Sequence, residues 1–325
     1  MSIPDLTGTP VLVTGGGGFI GSNLVDELLA RGARVRVLDN FATGRRENLA
    51  HCLERIELIE GDIRDGRTCE ESCRDQRFIF HQAALGSVPR SMEDPATTLD
   101  VNTQGTANLL AAARDAEVER FIFASSSSVY GDTERLPKKE GEEGLPRSPY
   151  ATSKRLCEEL ADTFFRCYGL QWIGLRYFNI YGPRQDPAGP YAAVIPRFFD
   201  AFLANQSPVI FGDGEQSRDF TFVADAARAN LLAAGAKREA CNRAYNVAAG
   251  DRTSVNELAE LIRQSVGSNA TPKHEPPRAG DVKHSLADLE DAASLLQYQT
   301  ETSLRDGLLQ SLPHYRSLRS RTGVR

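Results

Sequence analysis

A glycine-rich turn near the start of the chain limits the possible folds more than any other feature. Gly15 to Gly18, with Gly21 shortly after, follow the apolar segment Pro10–Thr14 and precede a helical pattern that begins at Phe19. Glycines at such a turn let the backbone approach a ligand closely, and the helix N-terminus beyond them favours negative charge. We therefore predict a dinucleotide cradle in which Gly15, Gly18 and Gly21 lie against a pyrophosphate. The spacing departs from GxGxxG, so a tight turn without a ligand is the alternative.

Strand and helix patterns alternate through the first half of the chain. Short apolar runs predict strands at Pro10–Thr14, Arg34–Leu38, Ile56–Glu60, Phe78–His81, Arg120–Ser125 and Gln171–Arg176. Helical patterns separate most of these runs, among them Phe19–Arg31, Thr103–Asp115 and Tyr150–Tyr168. This repetition predicts an α/β fold in which a doubly wound parallel sheet carries helices on both faces.

The pattern changes after Tyr181, where Gly-Pro and Asp-Pro pairs punctuate a loop and shorter elements follow. We predict a dinucleotide-binding domain over residues 1–181 and a smaller substrate-binding lobe over residues 182–325. The chain is expected to return to the first domain near residues 215–250, with Tyr245–Val247 as a returning strand. The basic stretch Ser317–Arg325 is expected to be frayed.

Acidic and small residues follow the predicted strands where a nicotinamide cofactor would lie. Asp39 ends the second strand, and a carboxylate there can bind the adenosine ribose hydroxyls. It would also repel a 2′-phosphate, which favours NAD over NADP, although Arg45 and Arg46 nearby could pair with such a phosphate. Asp62, after the third strand, could accept a hydrogen bond from the adenine amino group. The other residues assigned to the cofactor site are Phe19, Ile20, Asn40, Ile63, Gln82, Ala83 and Ala84. For His81 a structural hydrogen bond is favoured over catalysis.

A tyrosine and a lysine one helical turn apart form the predicted catalytic pair. Ser148 and Pro149 are typical of a helix start, so Tyr150 and Lys154 lie at i and i+4 on one face of one helix. The ammonium group would stabilise a phenolate, and the lysine could also bind the nicotinamide ribose. Such pairs are common on surface helices, and the glycine turn upstream is what favours catalysis here.

Four serines, Ser125 to Ser128, end the fifth predicted strand at the edge where ligands bind in doubly wound sheets. Ser126 is the preferred partner for the substrate oxygen and the tyrosine, with Ser127 second. For Ser125 and Ser128 we favour roles in the turn and in packing.

The bulk properties predict a soluble cytoplasmic protein that binds small molecules. The 325 residues carry a net charge of −6, so no general attraction to nucleic acid or to an anionic membrane is expected. The start of the chain lacks the pattern of a signal peptide, and no stretch approaches the ~18 apolar residues of a membrane-spanning helix. The six cysteines lack CxxC spacing, so reduced thiols and no metal site are predicted.

Further strings of residues carry a family resemblance over essentially the full length. The chain resembles the extended short-chain dehydrogenase/reductases, which have a Rossmann fold, and among them the NAD-dependent nucleotide-sugar epimerases. It is most similar to the bacterial UDP-N-acetylglucosamine 4-epimerases. The strings are Ala84–Ser91 (ALGSVPRS), Leu175–Asn179 (LRYFN), Tyr191–Pro196 (YAAVIP), Gly212–Asp219 (GDGEQSRD) and Arg278–Ser285 (RAGDVKHS).

The resemblance implies a UDP-sugar site and a homodimer. Asn179 would hold the substrate near its phosphates, and the backbone of Ala193 and Val194 would line the uracil pocket. Arg218 and Arg278 would clamp the diphosphate, with surface salt bridges as the alternative role. The remaining implied contacts are Asp281 with the uridine ribose, Ser87 and Arg90 over the sugar and cofactor, and Ser285 in the sugar pocket.

One departure from related families helps to choose the reaction. Sugar 4,6-dehydratases carry an Asp-Glu pair where this chain has Ser127 and Ser128, so no acid is present there to protonate a leaving hydroxyl. The resemblance therefore implies reversible C4 epimerisation of a UDP-hexose through a 4-keto sugar and transient NADH. UDP-N-acetylglucosamine is the expected substrate, with UDP-glucose as a further one. UDP-glucuronate 4-epimerase, another epimerase or dehydratase of this kind, and a redox-sensing NAD-binding protein are the alternatives.

Overall fold

The computed structural model describes residues 3–188, 192–277 and 283–322. Its strands are β1 (Pro10–Thr14), β2 (Arg34–Asp39), β3 (Ile56–Glu60), β4 (Phe78–His81), β5 (Arg120–Ser126), β6 (Trp172–Tyr177), β7 (Ile180–Tyr181), β8 (Val209–Phe211), β9 (Ser217–Arg218), β10 (Thr221–Phe222), β11 (Arg243–Val247), β12 (Thr253–Ser254) and β13 (Lys273–Glu275). Its helices are α1 (Phe19–Ala30), α2 (Gly66–Cys73), α3 (Val88–Glu93), α4 (Pro95–Leu99), α5 (Gly105–Asp115), α6 (Pro149–Tyr168), α7 (Val194–Leu203), α8 (Val223–Ala234), α9 (Val255–Val266), α10 (Glu290–Leu295) and α11 (Leu304–Thr322).

A seven-stranded parallel sheet forms the centre of the molecule, in the order β11-β6-β5-β4-β1-β2-β3. Residues such as Val11, Leu12 and Val13 of β1 are fully buried, because both faces of the sheet are covered. The strand order reverses between β1 and β4, which opens a crevice at the carboxyl ends of these strands. The predicted doubly wound parallel sheet is confirmed.

Helices cover the sheet in two layers. On one face, Leu24 and Leu28 of α1 pack in one apolar cluster with Ala226 and Leu231 of α8. On the other face, α2, α5 and α6 contribute a second cluster whose members include Cys69, Leu109 and Cys157. Helix α8 and strand β11 lie beyond residue 181 and still belong to the sheet and its layers, as the expected return near residues 215–250 requires. The division into two domains at residue 181 stays a prediction.

Helices α7, α9 and α11 form a third apolar cluster beside the sheet. Phe199 stacks on Tyr315 with ring centroids 4.5 Å apart. Phe19 and Ile20, assigned to the cofactor site, pack against this cluster from the start of α1. Among the described helices, none combines the length and the apolar character needed to cross a bilayer.

The expectation of a frayed C-terminal stretch is wrong for residues 317–322. Helix α11 continues to Thr322, because Leu312 and Tyr315 are buried against the third cluster and hold the helix in place. Arg319 adds a hydrogen bond of 3.1 Å to the Asp200 carbonyl. The prediction considered only the basic charge of the stretch and overlooked the apolar residues Leu312 and Tyr315 just before it.

Candidate active site

The turn between β1 and α1 is so tight that side chains do not fit in it. Gly15 has a left-handed backbone with φ of 69°, and a Cβ added there would lie 2.6 Å from the Ala83 nitrogen. A Cβ added at Gly21 would lie 2.1 Å from the Gly15 carbonyl oxygen. Gly18 is the N-cap of α1, and no side chain of the described residues caps the N–H groups of the first turn. The cradle fits a pyrophosphate, since an anion can accept from helix N-terminal N–H groups that no side chain caps.

Asp39 ends β2 beside this turn and is nearly buried. Its Oδ2 accepts from the Gly17 N–H at 2.8 Å and its Oδ1 from the Phe41 N–H at 2.7 Å. Burial raises the pKa of Asp39, and the two backbone hydrogen bonds counter that rise. The carboxylate keeps lone pairs for ribose hydroxyls, which is the role predicted from the sequence. It also holds the glycine turn in place, a role that the sequence did not reveal.

The two arginines near this carboxylate are engaged elsewhere. Arg45 forms an ion pair with Asp186, and Arg46 forms one with Glu60 while lying 4.4 Å over the Phe41 ring. Both guanidinium groups are half-exposed. Because both arginines already pair with exposed carboxylates, the arrangement agrees with the prediction of NAD rather than NADP.

The predicted adenine end contains an ion pair that sequence analysis missed. Arg64 donates to both oxygens of Asp62, at 3.0 and 2.7 Å, and Asn40 donates to Asp62 Oδ2 at 2.9 Å. The Arg64 hydrogen bonds are the main reason that the pKa of Asp62 falls to about 2. An adenine amino group would share this carboxylate with Arg64. Ile63 is buried and packs so closely on Gly105 that a Cβ there would lie 2.5 Å from the Ile63 Cδ1.

The segment after β4 places small residues where the cofactor is predicted to cross the sheet. Ala83 and Ala84 are partly buried at this edge. The Gln82 side chain donates to Asn230 Oδ1 at 3.0 Å and accepts from the Tyr177 hydroxyl at 3.2 Å. Gln82 therefore joins β4 to α8 and β6 beneath the predicted cofactor.

His81 has a structural position at the end of β4, as favoured from the sequence. Its Nδ1 lies 2.7 Å from Thr14 Oγ1 and its Nε2 lies 3.0 Å from Thr106 Oγ1, and the ring is buried. Burial, with the nearby Lys154 charge as a smaller cause, lowers the pKa of His81 to about 3. The imidazole is therefore neutral and serves to join β1, β4 and α5.

This buried imidazole predicts a loss of stability in mild acid. Below about pH 6.5 the unfolded chain binds a proton at His81 that the folded protein rejects until about pH 3. The His81 contribution is intact above pH 6.5 and declines by about 1.4 kcal/mol per pH unit below it. Denaturant titrations from pH 7 to pH 4.5 should give a shallower dependence on pH for His81→Gln. The control His274→Gln, at an exposed histidine, should keep the wild-type slope; equal slopes in all three proteins would contradict the assignment.

Helix α6 begins as predicted and carries the two residues of the predicted catalytic pair. Ser148 is its N-cap, with Oγ accepting from the Ala151 N–H at 3.1 Å, and Pro149 occupies the first turn. Tyr150 and Lys154 follow on one face of the helix. Lys154 is nearly buried, and its Nζ donates to the Ala124 carbonyl of β5 at 2.7 Å. This bond ties the helix with Tyr150 to the strand that ends in Ser126, and two ammonium protons remain for other acceptors.

The serines after β5 have different surroundings. Ser126 Oγ accepts from the Ser128 N–H at 3.1 Å, so its own proton is available to another acceptor. Ser127 opens the short 3₁₀ turn 127–130 and is partly buried. Ser125 Oγ donates to Glu158 Oε1 at 2.5 Å, in the packing role expected for it. Ser128 Oγ is buried without a hydrogen-bond partner among the described residues.

Behind these serines lies a buried ion pair that sequence analysis did not identify. Arg176 of β6 donates to Glu158 with two nitrogens, at 2.9 and 2.7 Å. Glu158 lies one turn beyond Lys154 on α6, and Arg176 also pairs with Glu143 and contacts the Tyr130 hydroxyl at 3.1 Å. The network holds α6, β5 and β6 together. Glutamates along a helix are too common for sequence to single this one out.

A cavity of about 450 Å³ lies beside Asn179, which follows β6. Its lining includes Asn179, Ala193, Val194 and Arg218, four of the residues predicted to bind substrate. Ala193 is the N-cap of α7 and has no side-chain acceptor for the first-turn N–H groups, which suits the predicted backbone contacts. Polar lining residues that were not predicted are Gln185, Arg197 and Gln216. Gln216 lies within the string Gly212–Asp219, but Gln185 and Arg197 come from a loop and a helix without a recognisable spacing, so the sequence held no signal for these two.

The other predicted substrate residues occupy two segments. Ser87 caps α3, its Oγ accepting from the Arg90 N–H at 3.2 Å, and Pro89 between them lines the cavity. The second segment contains Ser285, whose N–H donates to the Ser217 carbonyl at 3.1 Å. Arg278 and Asp281 lie outside the described residues. All of these assignments stay predictions.

Comparisons with known proteins agree with this architecture. Residues 11–248 match a family model described as the NAD dependent epimerase/dehydratase family. A putative UDP-glucose 4-epimerase of Methanocaldococcus jannaschii is 41% identical over 300 residues, covering 92% of this chain and 95% of the relative.

Two solved structures are similar over nearly the full length. The UDP-N-acetylglucosamine 4-epimerase of Methanobrevibacter ruminantium, in complex with UDP-N-acetylmuramic acid, has a TM-score of 0.92 at 40% identity, covering 96% of this chain and 99% of that one. The UDP-glucose 4-epimerase of Thermotoga maritima, with UDP-glucose, has a TM-score of 0.90 at 38% identity, covering 95% and 99%. These matches confirm the resemblance, the enzyme class and NAD as cofactor: the chain belongs to the NAD dependent epimerase/dehydratase family.

Proposed function

We propose that this chain is a UDP-sugar 4-epimerase that interconverts UDP-N-acetylglucosamine and UDP-N-acetylgalactosamine and also accepts UDP-glucose and UDP-galactose. The observation that carries the proposal is the hydrogen bond from Lys154 Nζ to the Ala124 carbonyl, at 2.7 Å. It ties the helix that carries Tyr150 to the strand that ends in Ser126, and the cavity lined by Asn179 and Arg218 is the proposed place of the sugar nucleotide. Relatives named as epimerases of UDP-glucose and of UDP-N-acetylglucosamine, at 38–41% identity, support both substrate pairs.

Proton transfer at the sugar C4 hydroxyl is the part of the reaction that the protein performs directly. The Tyr150 phenolate takes this proton, and NAD, when bound in the glycine cradle, supplies the hydride acceptor and donor at C4. Ser126 Oγ already accepts from the Ser128 N–H, so its proton is directed to the substrate oxygen. After its bond to the Ala124 carbonyl, Lys154 Nζ has two protons left for the Tyr150 oxygen and a ribose hydroxyl.

Inversion requires the 4-keto sugar to present its other face while the rest of the molecule stays bound. Arg218 lines the cavity and donates to the Ser217 and Lys283 carbonyls at 3.0 and 3.3 Å, and a guanidinium is the group that pairs best with a diphosphate. With the diphosphate held, rotation is confined to the bond between phosphate and sugar. Ser127 and Ser128 bring no carboxylic acid to the sugar, so elimination of water has no general acid there.

The direct experiment is turnover of the purified protein with separate UDP-sugars, followed by chromatography of the products. We expect conversion of both N-acetylated sugars into each other, and slower conversion of the plain hexoses. Conversion of UDP-glucuronate alone would instead identify a uronate epimerase. Retention of NAD without turnover of any UDP-sugar would indicate a binding protein.

The N-acetyl preference is tested at Ser285, whose small side chain is predicted to leave room for the acetamido group as the keto sugar rotates. Ser285→Tyr should reduce turnover of UDP-N-acetylglucosamine by roughly 10- to 200-fold, since bulk in a fitted pocket excludes the larger sugar. Turnover of UDP-galactose should stay near the wild-type value. Kinetics on both substrate pairs measure this difference.

Ser285→Ala is the matched control, because it removes the hydroxyl without adding bulk. It should leave the ratio of the two activities unchanged. Equal losses on both substrates in Ser285→Tyr would mean that Ser285 does not limit the size of the sugar.

A further inference from the structure

Asp219 follows Arg218 directly and is fully buried, yet the sequence assigned it no role. We propose that its carboxylate is a positioning residue, which fixes residues 283–287, here called the closing segment, against Arg218 and so sets the affinity for the UDP part of the substrate. The proposal rests on the proposed function for the identity of that ligand.

Three backbone amides donate to the Asp219 carboxylate. Its Oδ1 accepts from the Ala249 N–H at 2.8 Å, and its Oδ2 accepts from the Gly250 N–H at 3.2 Å and the Ala287 N–H at 3.3 Å. Ala287 ends the closing segment, two residues beyond Ser285. One side chain therefore joins the turn after β11 to the segment that carries the predicted sugar contact.

Other hydrogen bonds near the Asp219 carboxylate join the same segments. The Ser217 N–H donates to the Lys283 carbonyl at 3.0 Å, and the Ser285 N–H donates to the Ser217 carbonyl at 3.1 Å. Asn179 Nδ2 donates to the Asp219 carbonyl at 3.0 Å. Asp219 thus lies where Asn179, Arg218 and Ser285, three predicted substrate residues from distant parts of the chain, are connected.

The cost of burying the Asp219 carboxylate indicates that this residue does more than fill space in the core. Burial raises the pKa of Asp219 to about 6, so the ionised form is costly, and the three amide hydrogen bonds offset part of that cost. No cation forms an ion pair with Asp219 among the residues that the structure describes. Because every identified partner is an N–H donor, an asparagine at this place would set its amide nitrogen against at least one of them.

Asp225 offers a matched control for a purely structural role. It is also buried, and its carboxylate accepts from the Glu301 and Thr302 N–H groups at 2.9 and 3.2 Å and from the Thr300 hydroxyl at 3.1 Å. Unlike Asp219 within the described residues, it also has a cation nearby, the Arg228 guanidinium at 4.0 Å. Its connections lead to residues 300–302, which are not assigned to the substrate. The same substitution at both aspartates separates loss of stability from loss of positioning.

The experiment compares Asp219→Asn and Asp225→Asn as NAD-loaded proteins, measuring Tm, bound NAD, kcat, KM and the Kd of UDP by calorimetry. We expect Asp219→Asn to weaken UDP binding and to raise KM on the order of tenfold, with kcat within about twofold because Tyr150, Lys154 and Ser126 lie on other elements. Asp225→Asn should lower Tm while KM and the UDP Kd stay unchanged. Unchanged UDP affinity in Asp219→Asn, or an equal loss in Asp225→Asn, would overturn the proposal.

If Asp219→Asn does not fold, hydrogen exchange of the wild-type protein tests the proposal instead. Hydrogen exchange should show the amides of Ala249, Gly250 and Ala287 opening together, with protection that rises together when UDP is added. Independent exchange of Ala287, unaffected by UDP, would overturn the proposal. UDP binding is measured independently of turnover. Intact UDP binding without epimerase activity would therefore refute the proposed function and leave the proposal for Asp219 standing.

Discussion

Tyr150→Phe is expected to lower turnover of UDP-sugars by roughly 10²- to 10⁴-fold, the usual worth of a positioned proton-transfer group. The substitution removes one hydroxyl from a partly buried residue at the start of α6. The cradle at Gly15–Gly21 and the Lys154 bond to β5 do not involve that hydroxyl, so the fold and the bound NAD should be retained. Steady-state kinetics and the NAD content of the purified variant measure both parts of the expectation.

Tyr168→Phe is the matched control, since it makes the same change on the same helix. Tyr168 is exposed at the end of α6, with the Arg114 guanidinium 4.9 Å from the centre of its ring. Its turnover should equal that of the wild type. A rate for Tyr150→Phe within about twofold of the wild type would end the assignment of this tyrosine as the base.

Gly21→Ala is expected to yield a destabilised protein without bound NAD. The new methyl group would lie 2.1 Å from the Gly15 carbonyl oxygen, and neither this backbone oxygen nor a Cβ fixed to the α1 backbone can move aside without opening the turn. The free energy of unfolding should fall by about 3 kcal/mol, at the upper end of overpacking costs. Denaturant unfolding and the absorbance of nucleotide released on denaturation report the two effects.

Gly66→Ala makes the same substitution in the first turn of another helix. A Cβ at Gly66 would meet no atom within 4 Å, so NAD content should be normal and stability unchanged or slightly higher. If Gly21→Ala retained NAD as Gly66→Ala does, the cradle would tolerate a side chain and would not bind the pyrophosphate as closely as predicted.

The central sheet could be predicted because its signals are local. The strands β1, β3 and β4 begin and end at the predicted residues, since each is a short apolar run bounded by polar or turn residues. The start of α6 was equally clear, because Ser148 and Pro149 occupy the N-cap and first turn where their chemistry is favourable. The alternation of strands and helices predicted a parallel sheet with helices on both faces, and the order of its strands is known from the structure.

Contacts between distant segments could not be predicted in the same way. Glu158 and Arg176 are ordinary residues of a helix and a strand until the fold brings them together, and the amide donors to Asp219 are backbone groups with no sequence signature. The same limit applies to Gln185 in the cavity. Pairing across the fold depends on tertiary geometry, which local periodicity does not contain.

The order of elements along the chain has a consequence for synthesis on the ribosome. The strands β1 to β6 are complete at Tyr177, and α8 and β11, which finish the sheet and one of its layers, are complete at Val247. Residues 283–287 leave the ribosome later still. A nascent chain therefore possesses the glycine cradle before the cleft for the sugar nucleotide exists, and NAD is the ligand that can stabilise it at this stage by mass action.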